Sequence, residues 1–422
     1  MRNKLLVFVA FALVASGCSS QQAVPVQSAG SASQGHHAGP DVRQKGEQPV
    51  NWRSFFWLSQ FNPYYSTMLT GPDGAMWYND YSGQQILRMA MDGTARQGAA
   101  LTSFNPSAMA LGSDNKFYAG DVNIAAIDIA TTSGSVTQKA IPSGDKVGYD
   151  TMTLGPDGNV WFSEFSHYGK ITTSGAITEF TFADSTTSNY FDGIVAGPDG
   201  NIWISEYNSS IVDKIVPATG HETTFSLGCS GQDLISAQGS LWVACTNNTL
   251  VQVTTAGVAT AFYNPYGFSG SGKYLTVGPD GNPWFGTSNA SVIGEFDPST
   301  LQMTYYYPPA NYGNANTMTA GPDGNIWTIE NNQRTVQVYI LNVMSVSPAS
   351  LTFASTGLTS NIVVTQHGTS AWTATSSNTA IATVAQGSPA NTFKVTSVAK
   401  GQCKIIVSDS VGNSFPVHVT VQ

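Results

Sequence analysis

Gly197-Pro198-Asp199-Gly200-Asn201-Ile202-Trp203-Ile204-Ser205-Glu206 joins a tight turn to a short alternating apolar run. Pro suits the first central position of such a turn, and Gly supplies the left-handed residue that closes it. The run before the turn, Asp192-Gly193-Ile194-Val195-Ala196, alternates too, so the whole stretch predicts a hairpin. The tetrad Gly-Pro-Asp-Gly occurs five times, at 71–74, 155–158, 197–200, 278–281 and 321–324. Gly112-Ser113-Asp114-Asn115 and Ala237-Gln238-Gly239-Ser240 fill the two gaps as degenerate copies. An aromatic residue follows each copy: Trp77, Phe117, Trp161, Trp203, Trp242, Trp284 and Trp327, at spacings of 40, 44, 42, 39, 42 and 43 residues. A repeat of this period is one supersecondary unit that buries its apolar faces only by stacking on its neighbours. Two further strands complete a unit, as in Lys170-Ile171-Thr172 and Ala176-Ile177-Thr178-Glu179-Phe180. Short strands throughout, with no helical period, predict a seven-bladed β-propeller over residues 51–342.

The ends of this array suggest how it closes. The last unit stops at its third strand, Thr335 to Leu341. The missing fourth strand is expected from Asn51 to Leu58, with Trp52 and Trp57 packed beside it, which would pair two open edges. In the fifth unit Cys229 and Cys245 flank the turn almost symmetrically. They are expected either as a disulfide, favoured by an oxidising compartment, or as two buried thiols.

Residues 343–422 change character. Val, Thr and Ser dominate in period-two runs such as Ile362-Val363-Val364-Thr365, Phe393-Lys394-Val395-Thr396 and Lys404-Ile405-Ile406-Val407. This predicts a second domain, a small β-sandwich. It resembles the bacterial Ig-like domains through Val346-Ser347-Pro348, Trp372-Thr373-Ala374, Ile381-Ala382-Thr383-Val384 and the closing run Val417 to Val421. Cys403 has no partner within it and is expected as a small buried hydrophobe.

The N-terminus speaks to location. Arg2 and Lys4 precede an apolar run, Leu5 to Val14, too short for a stable membrane span. Ala15-Ser16-Gly17-Cys18 follows and looks like a bacterial lipobox; the alternative is an ordinary signal peptide with an incidental Cys. Residues 1–18 are therefore expected as a lipoprotein signal with Cys18 as the lipidated residue. The protein would sit in the cell envelope, on the periplasmic or the outer-membrane and extracellular side, held to the membrane by its lipid. Residues 19–50, rich in Ser, Gln, Gly, Ala and Pro, are expected as a flexible tether reaching roughly 30 Å.

Only 10% of the 422 residues are charged, the net charge is -9 and the pI is about 5.0. A nucleic-acid partner wants a basic face, so none is expected. No phosphate loop, zinc spacing or nucleophile elbow is present. A monomer binding a small molecule, glycan or envelope protein fits this composition.

The repeat Gly-Pro-Asp-Gly-Asn-Ile-Trp-Ile-Ser-Glu resembles the streptogramin lyases, also called virginiamycin B lyases, over residues 55–341. The resemblance implies a Mg²⁺-assisted elimination, in which a base takes the proton beside a lactone carbonyl and the ester C–O bond opens. The family's catalytic His begins the first strand of the final blade. The matching residue here is Asn316, and an amide cannot serve as that base, so the lyase's catalytic residues do not carry over.

The residues themselves mark one face. Strand-start positions hold Ser66, Ser107, Asp150, Asp192, Lys273 and Asn316, with the fifth unit near Gln232. Three residues after the landmark aromatic come Asp80, Glu164, Glu206 and Glu330. Asp150, Glu164, Asp192 and Glu206, from adjacent units, could hold Mg²⁺ or Ca²⁺, which take hard oxygen donors. Alternatively the recurring carboxylates bond backbone amides nearby. Asn316 and Glu330 would join the ligand-binding set. His167, expected in a loop on the same face, and Lys273 are candidate bases; a solvated His and a carboxylate-paired Lys are the alternatives. Tyr64-Tyr65, Tyr190-Phe191, Tyr305-Tyr306-Tyr307 and Tyr312 offer rings for stacking on sugars or apolar ligands, or for strand-edge packing. Three functions are open on this basis: a surface-displayed binding protein, which the Asn at the catalytic position favours, a C–O lyase or lactone-opening enzyme with an altered base, and a structural scaffold.

Overall fold

The computed structural model describes residues 43–49, 51–56, 67–81, 83–102, 105–164, 166–183, 191–207, 209–269, 273–288, 292–307, 314–330, 335–340, 345–365, 371–409 and 414–422. Among them the chain forms only strands and turns. Seven sheets follow one another along the chain, spanning 68–100, 106–140, 147–181, 191–226, 231–263, 275–307 and 315–340. Within each, the strands lie in chain order and pair antiparallel. The first strands of successive sheets pack against one another, and that of sheet seven packs against that of sheet one. This contact pattern closes a ring: a β-propeller.

The closing strand is the N-terminal one. Asn51–Phe56 pairs antiparallel with Thr335–Ile340, from Asn51 opposite Ile340 to Phe56 opposite Thr335. Trp57, Leu58 and the side chain of Trp52, also expected in or beside this strand, lie outside the described residues. The Phe55 ring stacks on Trp327, centroids 5.8 Å apart.

A second N-terminal strand departs from expectation. Arg43–Pro49, placed in the tether by composition, pairs parallel with Gln302–Tyr307 as a fifth strand of sheet six. Its sequence, Arg-Gln-Lys-Gly-Glu-Gln-Pro, has no apolar alternation. The pairing is carried by backbone groups, which leave no side-chain period to detect.

The tetrad's chemistry is visible in the turns. The aspartate Oδ1 accepts the indole N–H at 2.8 Å in Asp73–Trp77, 2.9 Å in Asp157–Trp161, 3.0 Å in Asp199–Trp203, 2.9 Å in Asp280–Trp284 and 3.0 Å in Asp323–Trp327. A Cβ on the first glycine would stand 2.3 Å from Trp161 at Gly155 and 2.4 Å from Trp203 at Gly197, so the ring itself excludes a side chain. The last glycine is left-handed, φ 74° at Gly200. On the third strands, Lys170 and Lys214 pair with the same aspartates and lie 5.0 and 5.4 Å over the indoles.

The same geometry corrects one landmark. In sheet two the residue under the first glycine, Gly112, is Tyr118, whose hydroxyl donates to Asp114. Tyr118 lies opposite Ala110, as Trp161 lies opposite Thr153. Phe117 is therefore one residue out of phase; tyrosine took the indole's place and a neighbouring aromatic masked it. In sheet five a two-residue turn with φ 51° at Gln238 and 73° at Gly239 replaces the tetrad, and Trp242 donates instead to the Ala237 carbonyl.

Residues 345–421 form two four-stranded sheets, one containing Thr359–Thr365 and Thr392–Ser397, the other Gly401–Asp409 and Ser414–Val421. Val346, Ile362, Phe393 and Val395 from the first share one buried core with Phe353, Ile405, Val407 and Val419 from the second. Cys403 is a free buried thiol at its margin.

Candidate functional site

The second strands end, and the third begin, on one face of the propeller; the connections between sheets lie there as well. On this face the first strands are irregular. In sheet two Pro106 pairs with Asp121 but Ala108 with Gly120, leaving Ser107 as an extra residue. Asp192 is the extra residue in sheet four, Gln232 in sheet five and Asn316 in sheet seven; in sheet three the irregular stretch from Val147 to Met152 contains Asp150. In these five sheets the strand-start positions picked out by the repeat thus fall at irregularities, where a ladder re-aims a side chain. The side chains of Asp150, Asp192 and Asn316 lie outside those described.

With Tyr118 as the landmark, the position three residues on holds Asp80, Asp121, Glu164, Glu206, Cys245, Thr287 and Glu330 in the seven sheets. Asp121 was hidden by the one-residue phase error. All five carboxylates are buried. Three of them have local partners that fix the adjoining loop, whereas Glu330 is bonded only within its own strand and keeps its Oε2 without a partner. Asp80 accepts from the Gly83 amide and Gln85, Asp121 from the Asn105, Asn123 and Ile124 amides, Glu206 from the Ser209 hydroxyl, and Glu330 from Thr328. In sheet five a disulfide takes over: Cys245 is bonded to Cys229 in the loop just before the first strand.

Glu164 differs. One oxygen accepts the Ser143 hydroxyl at 3.2 Å, while Oε1 is fully buried with no hydrogen-bond partner. Burial pushes its carboxyl up, helped by the charges of Glu179 and Asp145, to about 8. Next to it, His167 opens the third strand of sheet three, His167–Ile171. Its Nδ1 lies 2.7 Å from Asp145 Oδ2 and 2.9 Å from the Ser166 hydroxyl, which itself donates to Asp145. Partial burial acts to raise the Asp145 carboxyl, but the hydrogen bonds from Ser166 and His167 outweigh it and hold it below the ordinary carboxylate range. Donor atoms of Asp145, Glu164 and His167 all lie within 4.8 Å of one another, the only such group of three among the described residues.

Of the sequence candidates, then, the structure brings Glu164 and His167 together. Glu206 and Glu330 belong to their own sheets. Lys273 accepts through its carbonyl the Met318 amide, tying sheet six to sheet seven. Asp145 was missed because it lies in the connection between sheets two and three, outside the repeated strands. The one available signal was its acidic character in the loop beside His167.

A closed ring of four-stranded sheets with a histidine–carboxylate group on one face defines a β-propeller with a candidate polar site. The model of the virginiamycin B lyase family matches residues 54–233 and 186–357, well over half of the chain, and the protein belongs to that family. Among solved structures, a streptogramin B lyase matches at TM-score 0.60 and 19% identity, covering 68% of this chain and 97% of its own. The selenomethionine-substituted virginiamycin B lyase from Staphylococcus aureus matches at 0.60 and 20%, covering 68% and 98%. The Swd1 β-propeller domain from Myceliophteria thermophila matches at 0.55 and 9%, covering 69% and 99%, a likeness of fold alone. No curated protein matches the chain significantly.

Proposed function

We propose that the chain is an exported, lipid-anchored member of this family that binds a ligand on the face carrying Glu164 and His167. The observation that carries the reading is the Asp145–His167 contact of 2.7 Å beside the orphaned Glu164 oxygen, a polar group held in place and not consumed by loop bonding. Cys18 carries the lipid, residues 343–422 form an Ig-like spacer or adhesive module, and the ligand is a small molecule, glycan or envelope protein. Calorimetric titration of the protein with a streptogramin B lactone and with glycans tests the binding. Heat of binding that disappears in His167→Ala supports it; no heat with any of these ligands removes it for these classes. Loss of the protein from the membrane fraction on Cys18→Ala tests the anchor.

A second reading, a C–O lyase with a relocated base, is favoured by the same contact. A carboxylate on Nδ1 orients an imidazole so that Nε2 can take a proton. Lactone opening followed by mass spectrometry, abolished in His167→Ala, separates turnover from binding. The hard-ion arrangement of Asp150, Glu164, Asp192 and Glu206 remains the proposal for Mg²⁺ or Ca²⁺. The described donor set around Glu164 includes an imidazole, which Mg²⁺ rarely takes.

A further inference from the structure

We infer that Asp145, Glu164 and His167 form a site for a divalent transition metal of the Zn²⁺, Co²⁺ or Mn²⁺ type, built into sheet three and the connection before it. Two observations point there independently. The three donor groups converge within 4.8 Å. In addition, Glu164 is 0% exposed, yet its Oε1 faces no donor. A buried carboxylate oxygen without a partner is costly; Glu330 and Asp213 carry one too, but among the described residues only Glu164 has a second carboxylate and an imidazole placed to share a cation with it. One imidazole with two carboxylates suits borderline metals rather than Mg²⁺ or Ca²⁺. Metal–donor distances of about 2.0–2.2 Å require the donors to close from their present spread, a movement open to the partly exposed side chains of Asp145 and His167 but not to Glu164. On binding, the ion replaces the proton shared between His167 Nδ1 and Asp145. Ser143 and Ser166 then orient the carboxylates from outside, as second partners of metal ligands do. The exposure of Asp145 and His167 leaves room for a water or a ligand atom at the remaining position.

This site would supply the polar anchor of the proposed binding face, but its test does not depend on that reading. The full chain, with His36→Ala and His37→Ala to remove a competing donor pair in the N-terminal segment, is stripped with EDTA and titrated with Zn²⁺, Co²⁺ and Mn²⁺. One equivalent of Zn²⁺ or Co²⁺ is expected to bind, with the affinity falling at least tenfold in Glu164→Gln and in His167→Gln. Asp92→Asn, which alters an exposed carboxylate in a turn of sheet one, leaves binding unchanged. Should a variant fail to fold, the unaltered site is loaded with Cu²⁺, and electron spin-echo spectra are expected to show the nitrogen of one imidazole. Absence of binding at millimolar metal, affinity indifferent to both substitutions, or spectra without imidazole nitrogen would overturn the assignment. Failure of ligand binding with metal binding intact would remove the functional reading alone.

Discussion

Trp203 donates its indole N–H to Asp199 Oδ1 across 3.0 Å, from a ring with no exposed surface to a carboxylate four residues earlier in the same turn. Lys214 holds the other oxygen at 2.8 Å. Asp199→Ala would leave a buried donor unpaired and free one end of the hairpin, and is expected to cost about 1–3 kcal/mol in urea unfolding. Asp199→Asn keeps an acceptor for the indole and gives up the ion pair and the Asn201 bond to Oδ2, so its loss should be smaller. Equal losses for the two variants would show that the indole bond is not what stabilises the turn.

That bond explains why the fold was readable in the sequence. Three residues of the tetrad have local duties: Gly197 makes room for the ring, Asp199 binds it, and Gly200 turns the chain at φ 74°. Local duties repeat, and so they show as a period. Features that depend on the backbone or on distant segments did not show. Arg43–Pro49 pairs through its main chain, Tyr118 replaces tryptophan with different chemistry in the same space, and Asp145 reaches His167 across a gap of 22 residues. Only the His167 and Glu164 half of the site lies on repeated strands, and only that half was legible.

Stability should peak in mildly acidic solution. Burial raises the Glu164 and Glu330 carboxyls to about 8 each, and burial with the nearby Glu206 charge raises Asp213 as well. Between the ordinary carboxylate value and about 8 these groups are protonated in the folded chain and ionised in the unfolded one. The folded state then binds more protons, so stability is fully present below about pH 4.5 and falls as pH rises through 8. Asp199 has the opposite sign. Partial burial acts to raise it, but hydrogen bonds from Lys214, Asn201 and Trp203 hold it at about 2, so its contribution fades as pH drops from about 4. Thermal melts in EDTA from pH 3 to 9 are expected to be highest near pH 4–5. In the double variant Glu164→Gln, Glu330→Gln the alkaline decline should flatten; a decline of unchanged steepness would assign it to other groups.

In sheet five, Cys245 stands where other sheets place a loop-fixing carboxylate, and its bond to Cys229 closes a separation of 16 residues. A loop of that size corresponds to about 3 kcal/mol of chain entropy removed from the unfolded state. The double variant Cys229→Ser, Cys245→Ser is expected to lose about 2–4 kcal/mol, and dithiothreitol should lower the unfolding midpoint of the wild type alone. A reductant effect of the same size in the double variant would exclude this bond as its cause.

Ring closure rests on Asn51–Phe56, and Arg43–Pro49 adds a strand elsewhere, so two truncations can tell them apart. A chain starting at residue 51 keeps the closing strand and loses the parallel pairing on sheet six. A chain starting at residue 57 leaves Thr335–Ile340 as a bare edge and removes Phe55 from Trp327. Such an edge is a template for pairing with a second chain. The shorter truncation is therefore expected to remain monomeric with a modest loss of stability. The longer one should lose several kcal/mol and appear as dimers or larger species in size-exclusion chromatography with light scattering. A stable monomer starting at residue 57 would mean that the first strands alone hold the ring closed.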